Sequence, residues 1–183
     1  MAYGFTTPRV GLPAITDRAI PATVETVGST VITNVLAPLG TIVTAKDPVY
    51  GEGEFLRLVG VASTVVGSLV KYNATTYHTA LTTVTNGKNK GVPVAVAMSA
   101  CVANEHGWYQ ISGNAVMKKT TVSVNPGVPI FLAADASAGR FKVLASAGQQ
   151  ILGAQTANLT TVVTTTSTVV VTINRPFTQG QIT

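Results

Sequence analysis

The chain has 183 residues and a formal net charge of +5, yet Asp, Glu, Lys and Arg make up only 10% of it, against about 25% in an average soluble domain. That length suits one domain able to bury roughly 70% of its unfolded surface, and a single cysteine, Cys101, excludes an intramolecular disulfide framework. Stability must come from packing or from assembly with other chains, and abundant Val and Thr with 17 Gly and 9 Pro argue for an all-β fold without long amphipathic helices.

Residues 1–22 carry Pro8, Pro13 and Pro21 among single apolar residues. Proline at that density opposes ladders and helices, so an extended N-terminal arm is expected, followed by a single β-domain over residues 23–183. The arm lacks a basic stretch leading into an apolar one, so no signal peptide is expected. The segment is either a frayed terminus or one that lies along a neighbouring subunit, since its apolar residues Val10, Leu12, Ile15 and Ile20 would otherwise be exposed.

Residues 23–35 and 40–45 read as a hairpin around Pro38-Leu39-Gly40, and residues 47–54 as a loop. In the strand over 55–61, Phe55, Arg57, Val59 and Val61 alternate with Leu56, Leu58 and Gly60. A turn over 63–67 leads to a strand over 69–72, and another strand over 77–84 ends in the polar loop 86–91. Over 93–99, Val94, Val96 and Met98 alternate with Ala95, Ala97 and Ser99, so both faces of this strand should be covered. Asn104-Glu105-His106-Gly107 is turn chemistry. A strand over 108–112 then places Trp108, Gln110 and Ser112 on one face and Tyr109 and Ile111 on the other, and Gly113-Asn114 reads as a turn into residues 115–119. Beyond the Asn125-Pro126-Gly127 turn, strands over 128–133 and 140–145 should form a hairpin, with 148–153 as a connector. The tail over 159–173 reads as two Val-rich strands around a Thr/Ser tip, with an uncharged edge that must be hidden inside the domain or at an interface. Thr, Gln, Asn, Gly and Pro interrupt the uncharged runs 26–45 and 143–174, which argues against membrane spans.

Candidate chemistry is sparse. Cys101 lies between Ala100 and Val102, where apolar surroundings raise a thiol instead of activating it, and His106 is its only nearby base. Glu52 and Glu54, with Asp47 close by, could share a face and hold a weak calcium ion, but adjacent loop acids are more often solvated. His78 and His106 make no zinc spacing with Cys101, and Gly51-x-Gly53 is no phosphate cradle. The pairs Lys88 with Lys90 and Lys118 with Lys119 read as solvated lysines at turns and strand ends, and no nucleic-acid motif accompanies them. Tyr50, Tyr72, Tyr77, Trp108 and Tyr109 read as core and interface anchors ahead of a sugar-stacking platform. The sequons at Asn73 and Asn158 matter only on a secretory route.

Four motifs in order carry a resemblance: Asp47-Pro48-Val49-Tyr50-Gly51-Glu52-Gly53-Glu54-Phe55; Gly60-Val61-Ala62-x-Thr64-x-x-Gly67-x-x-Val70-x-Tyr72; Val92-Pro93-Val94-Ala95-Val96-Ala97; and Asn104-x-x-Gly107-Trp108-Tyr109-Gln110-Ile111-x-Gly113. With a Gly153-Ala154 pair and a Val/Thr-rich last strand after them, the chain resembles the head decoration, or cement, proteins of tailed bacteriophages over about residues 40–175. The resemblance implies a compact β-barrel or β-tulip-like domain, commonly a homotrimer, on the outer face of an assembled capsid. There it strengthens contacts between capsomers with no cofactor and no catalysis. Its partner would be the major capsid protein, with no membrane and no specific nucleic acid involved, and its place the outer surface of a virion assembled in the host cytoplasm. Val10, Leu12 and Ile15 would then pack on capsid or sister subunits, Trp108 and Tyr109 would anchor the domain or trimer core, and removing residues 1–20 should abolish capsid retention while leaving a folded domain. The alternative is a head-fibre or tail adhesin that binds a surface glycan through exposed aromatic residues.

Overall fold

The computed structural model describes residues 3–6, 12–19, 23–27, 30–34 and 37–181. In chain order they form β1 (Gly4–Phe5), β2 (Arg18–Ala19), β3 (Thr23–Val27), β4 (Thr30–Asn34), β5 (Ile42–Asp47), β6 (Gly51–Val59), β7 (Leu69–Tyr72), β8 (Thr79–Leu81), the helical turn α1 (Val84–Gly87), β9 (Val94–Ala97), β10 (His106–Lys118), β11 (Pro129–Leu132), β12 (Phe141–Lys142), β13 (Gln150–Thr156) and β14 (Thr168–Thr178). The fold is all-β, as Val/Thr content and period-2 alternation predict. Its main sheet has 12 strands and is open, with β1 and β12 at the ends of its longest path, while β3 and β4 form a separate ribbon.

β10 is the spine. One edge bonds β6 from His106 to Ser112. The opposite edge is taken in succession by β2 at His106 and Gly107, β9 at Tyr109 and Gln110, and β14 from Ser112 to Lys118. This change of neighbours divides the interior into three apolar clusters. The first joins β9, the second half of β10 and strands β11 to β14 through Val94, Val96, Met117, Ile130 and Val171. The second lies under the N-terminal segment around Ile15, Phe55 and Trp108, and the third holds Leu58, Ala95, Ala97 and Tyr109. β9 therefore has both faces covered, as its alternation predicts: its valines enter the first cluster and its alanines the third.

The predicted turn at Gly113-Asn114 is instead the middle of a 13-residue strand. Gly113 has φ +94, and a Cβ there would stand 2.4 Å from the Glu52 carbonyl oxygen. The register against β6 shifts between Gln110 and Ser112, so the glycine serves a bulge and a close backbone crossing. The predicted connector 148–153 falls mostly in β13 for the same reason, with Gly153 at φ +71 in a register shift between Leu152 and Ala154.

Other boundaries also moved. The described residues of 23–35 do not pair with 40–45: β3 pairs β4, with Val27 opposite Thr30, and β5 pairs β6. The expected loop 47–54 shrinks to a short turn, because β6 already begins at Gly51. In the tail, β14 is one long strand bonded on one edge to β10 and on the other to β13, which hides its uncharged edges within the domain. Residues before it are held by side chains instead of a ladder: Asn158 Nδ2 donates to the Val124 carbonyl at 3.0 Å, and a single bridge joins Val124 to Val162. Neither uncharged run forms a helix among the described residues, and none there is long and apolar enough to cross a membrane.

The expected strand over 77–84 stops at Leu81, because Thr83 and Asn86 form a capping box: Asn86 N donates to Thr83 Oγ1 at 3.2 Å and Thr83 N to Asn86 Oδ1 at 2.9 Å. Thr83→Ala is expected to destabilise the domain by about 1 kcal/mol, read as a thermal midpoint lower by about 2–4 °C. An unchanged midpoint would mean that the cap contributes nothing.

Candidate functional site

Trp108 and Tyr109 are neighbours on β10, so period-2 geometry sends them to opposite faces, and both are 0% exposed. Trp108 sits in the second cluster, where its indole Nε1 donates to the Pro13 carbonyl at 3.1 Å. The Phe5 ring meets it edge-on at 6.3 Å. Tyr109 fills the third cluster opposite Ala97, and burial, followed by nearby Cys101, pushes its phenol well above the ordinary tyrosine value. Both residues anchor the core of their own domain.

The N-terminal segment is part of that core. Ile15 is 1% exposed, and Leu12 is half-buried against the same cluster. The Tyr3 hydroxyl donates to the Asn114 carbonyl at 2.9 Å, and its ring meets Phe55 at 4.8 Å. β1 pairs β5 and β2 pairs β10. Ile15, expected on a neighbouring subunit, is instead covered within its own domain under Trp108, and Leu12 packs partly against the same cluster. Val10 lies outside the described residues.

Arg57 escaped the sequence reading as a site residue. It pairs across the strands with Trp108, is 1% exposed, and holds its guanidinium carbon 5.3 Å from the indole centroid. Burial pushes its pKa down, while Nε and Nη1 have no hydrogen-bond partner among the described residues. The available signal was an arginine at an inward position of an apolar strand.

Of the candidate acids, Glu52 and Glu54 share a cleft as their spacing predicts, and Asp47 is not among its lining residues. Asp47 is 2% exposed, and its Oδ1 accepts the backbone N–H of Val49 at 2.8 Å and of Tyr50 at 3.0 Å, which closes the turn between β5 and β6. Glu52 and Glu54 line a cleft of about 370 Å³ with Thr44 and Ser112, and Glu54 is ion-paired to Arg175 at 3.2 Å. Among the described residues, no group of three or more His, Cys, Asp or Glu side chains is placed to hold a metal. The buried Cys101 Sγ donates to the Glu105 carbonyl at 3.2 Å, and burial raises its thiol, as its apolar context predicts. Burial, with Arg57 and His78, lowers His106.

Lys119 corrects another expectation. It is buried, and its Nζ donates to the Val122 carbonyl at 2.7 Å, so backbone oxygens replace the solvent expected around it. Lys88 and Lys90 are exposed as expected.

The surface offers two kinds of contact. Large apolar side chains stand out from loops and turns at Leu159, Val49 and Leu144, which are 96%, 79% and 71% exposed. A separate cleft of about 440 Å³ lies over the end of the β7–β8 hairpin, lined by Lys71, Tyr72, Asn73, His78, Thr79 and Pro93 among others. Comparison of the chain with family models, with curated proteins and with solved structures found no match.

Proposed function

We propose that the chain is a structural virion protein that binds the outer face of an assembled bacteriophage shell and strengthens contacts between capsomers. Its partner is the major capsid protein and its working form a homotrimer; the role is mechanical, without cofactor or turnover. The observation that carries this reading is the convergence of the resembling motifs on one hydrogen-bonded unit. They occupy the turn into β6, the turn into β7, β9 and the first half of β10, and these strands bond to one another around Trp108 and Tyr109. A charge-poor chain that leaves Val49, Leu144 and Leu159 exposed also suits contact with other polypeptides.

The test is co-sedimentation with assembled shells together with light-scattering mass. The expected result is saturable retention on shells, a higher melting temperature for the decorated shell, and a solution mass of three chains. A monomer that stays in the supernatant at every concentration would reject the proposal.

A further inference from the structure

Lys71 and Tyr72 reach the cleft from β7, Thr79 from β8, Asn73 and His78 from the loop between those strands, and Pro93 from the segment before β9. Its volume of about 440 Å³ falls in the range of ligand pockets. The polar groups that line it are mostly donors. Asn73 Oδ1 already accepts the backbone N–H of Thr75 at 2.8 Å and of Thr76 at 2.9 Å, which leaves its Nδ2 as the amide's offering to a ligand. Lys71 Nζ donates to the Asn86 carbonyl at 3.3 Å and has further N–H bonds to give. His78 is exposed. No Asp or Glu is among the described lining residues. The register puts Lys71, Asn73 and His78 on one face of the hairpin, with Lys71 opposite Ala80 and Asn73 N bonded to the His78 carbonyl, so on a chain of net charge +5 this face is a donor-rich hollow.

We propose that this cleft receives an acidic side chain of a protein partner. Its carboxylate would lie between Lys71, His78 and the Asn73 amide, and the adjoining chain would lie against Ala80 and Val92. The inference rests on the decoration reading in one respect: the partner it fits is the shell protein. A single exposed carboxylate contact is weak, and many copies on a lattice make it count through avidity.

Two measurements separate the cleft from the decoration reading. In amide chemical-shift titrations of the whole chain, an acetylated, amidated tetraglutamate peptide is expected to move the signals of Tyr72, Asn73 and His78, and the double variant Lys71→Ala/His78→Ala should remove those shifts. Absence of shifts in the unmodified chain, or glucuronate producing them at lower concentration than the peptide, overturns the proposal. In shell co-sedimentation, the double variant is expected to bind at least about tenfold more weakly, while Lys46→Ala/Lys88→Ala, which removes two exposed charges outside the lining, binds as the unmodified chain does. Equal binding by all three overturns the cleft and leaves decoration standing. Peptide shifts from a chain that never binds shells reject decoration and keep the acidic-peptide site.

Discussion

Gly113→Ala is expected to destabilise the domain by about 2–5 kcal/mol, the sum of a left-handed backbone conformation imposed on an L-residue and a collision in a packed interior. The new methyl group would meet the Glu52 carbonyl at 2.4 Å and Gly53 Cα at 3.0 Å, both backbone atoms of β6 that no rotamer change can move. β10 must leave β6 and take up β14 at this point, so the strain falls where the sheet divides. Gly127→Ala is the control: Gly127 also has a positive φ, +67, but nothing lies within 4 Å of its added Cβ. It should lose only the conformational part, about 1–2 kcal/mol. Urea unfolding followed by tryptophan fluorescence reads both, and equal midpoints for the two variants would refute the crossing as the reason for the glycine.

Removal of residues 1–20 is the second large effect: the sequence leads to the expectation of an intact domain, and the contacts of this segment lead to the expectation of a weakened one. The deletion takes away Tyr3 and Ile15 from the second cluster, Pro13 from the Trp108 indole, and β1 and β2 from their sheet partners. Burying one large apolar side chain is worth about 1.5–3 kcal/mol, so two such anchors amount to roughly 3–6 kcal/mol. Domains hold only about 5–15 kcal/mol in total. Trp108 is the chain's only tryptophan and fully buried, so its emission reports the event directly. The shortened chain should show red-shifted emission and a lower melting temperature. Emission and melting like those of the whole chain would mean that the segment contributes nothing to the core.

The strands of the middle of the chain were legible because alternation and burial coincide there. Trp108 against Tyr109 and the valines of β9 against its alanines each separate into different clusters, as period 2 requires. Glycine was the ambiguous letter. Gly113 and Gly153 signal positive φ equally well in a turn or in a bulge, and only the neighbouring strand decides between them. The N-terminal segment is legible as apolar, but sequence cannot distinguish cover from a sister subunit and cover from the segment's own domain. Lys119 and Arg57 were missed for a related reason: the carbonyls around one and the indole beside the other come from residues that folding brings together. The cleft at Lys71 and His78 was invisible as a site, since its donors come from two strands, the loop joining them and the segment before β9.

Electron cryo-microscopy of assembled bacteriophage shells incubated with this chain tests the proposed role most directly. The account predicts density fitting the β10-centred domain on the outer face of the shell, bridging adjacent capsomers in groups of three. Shells whose outer face lacks this density, with the chain located at the tail or absent from the particle, would contradict it.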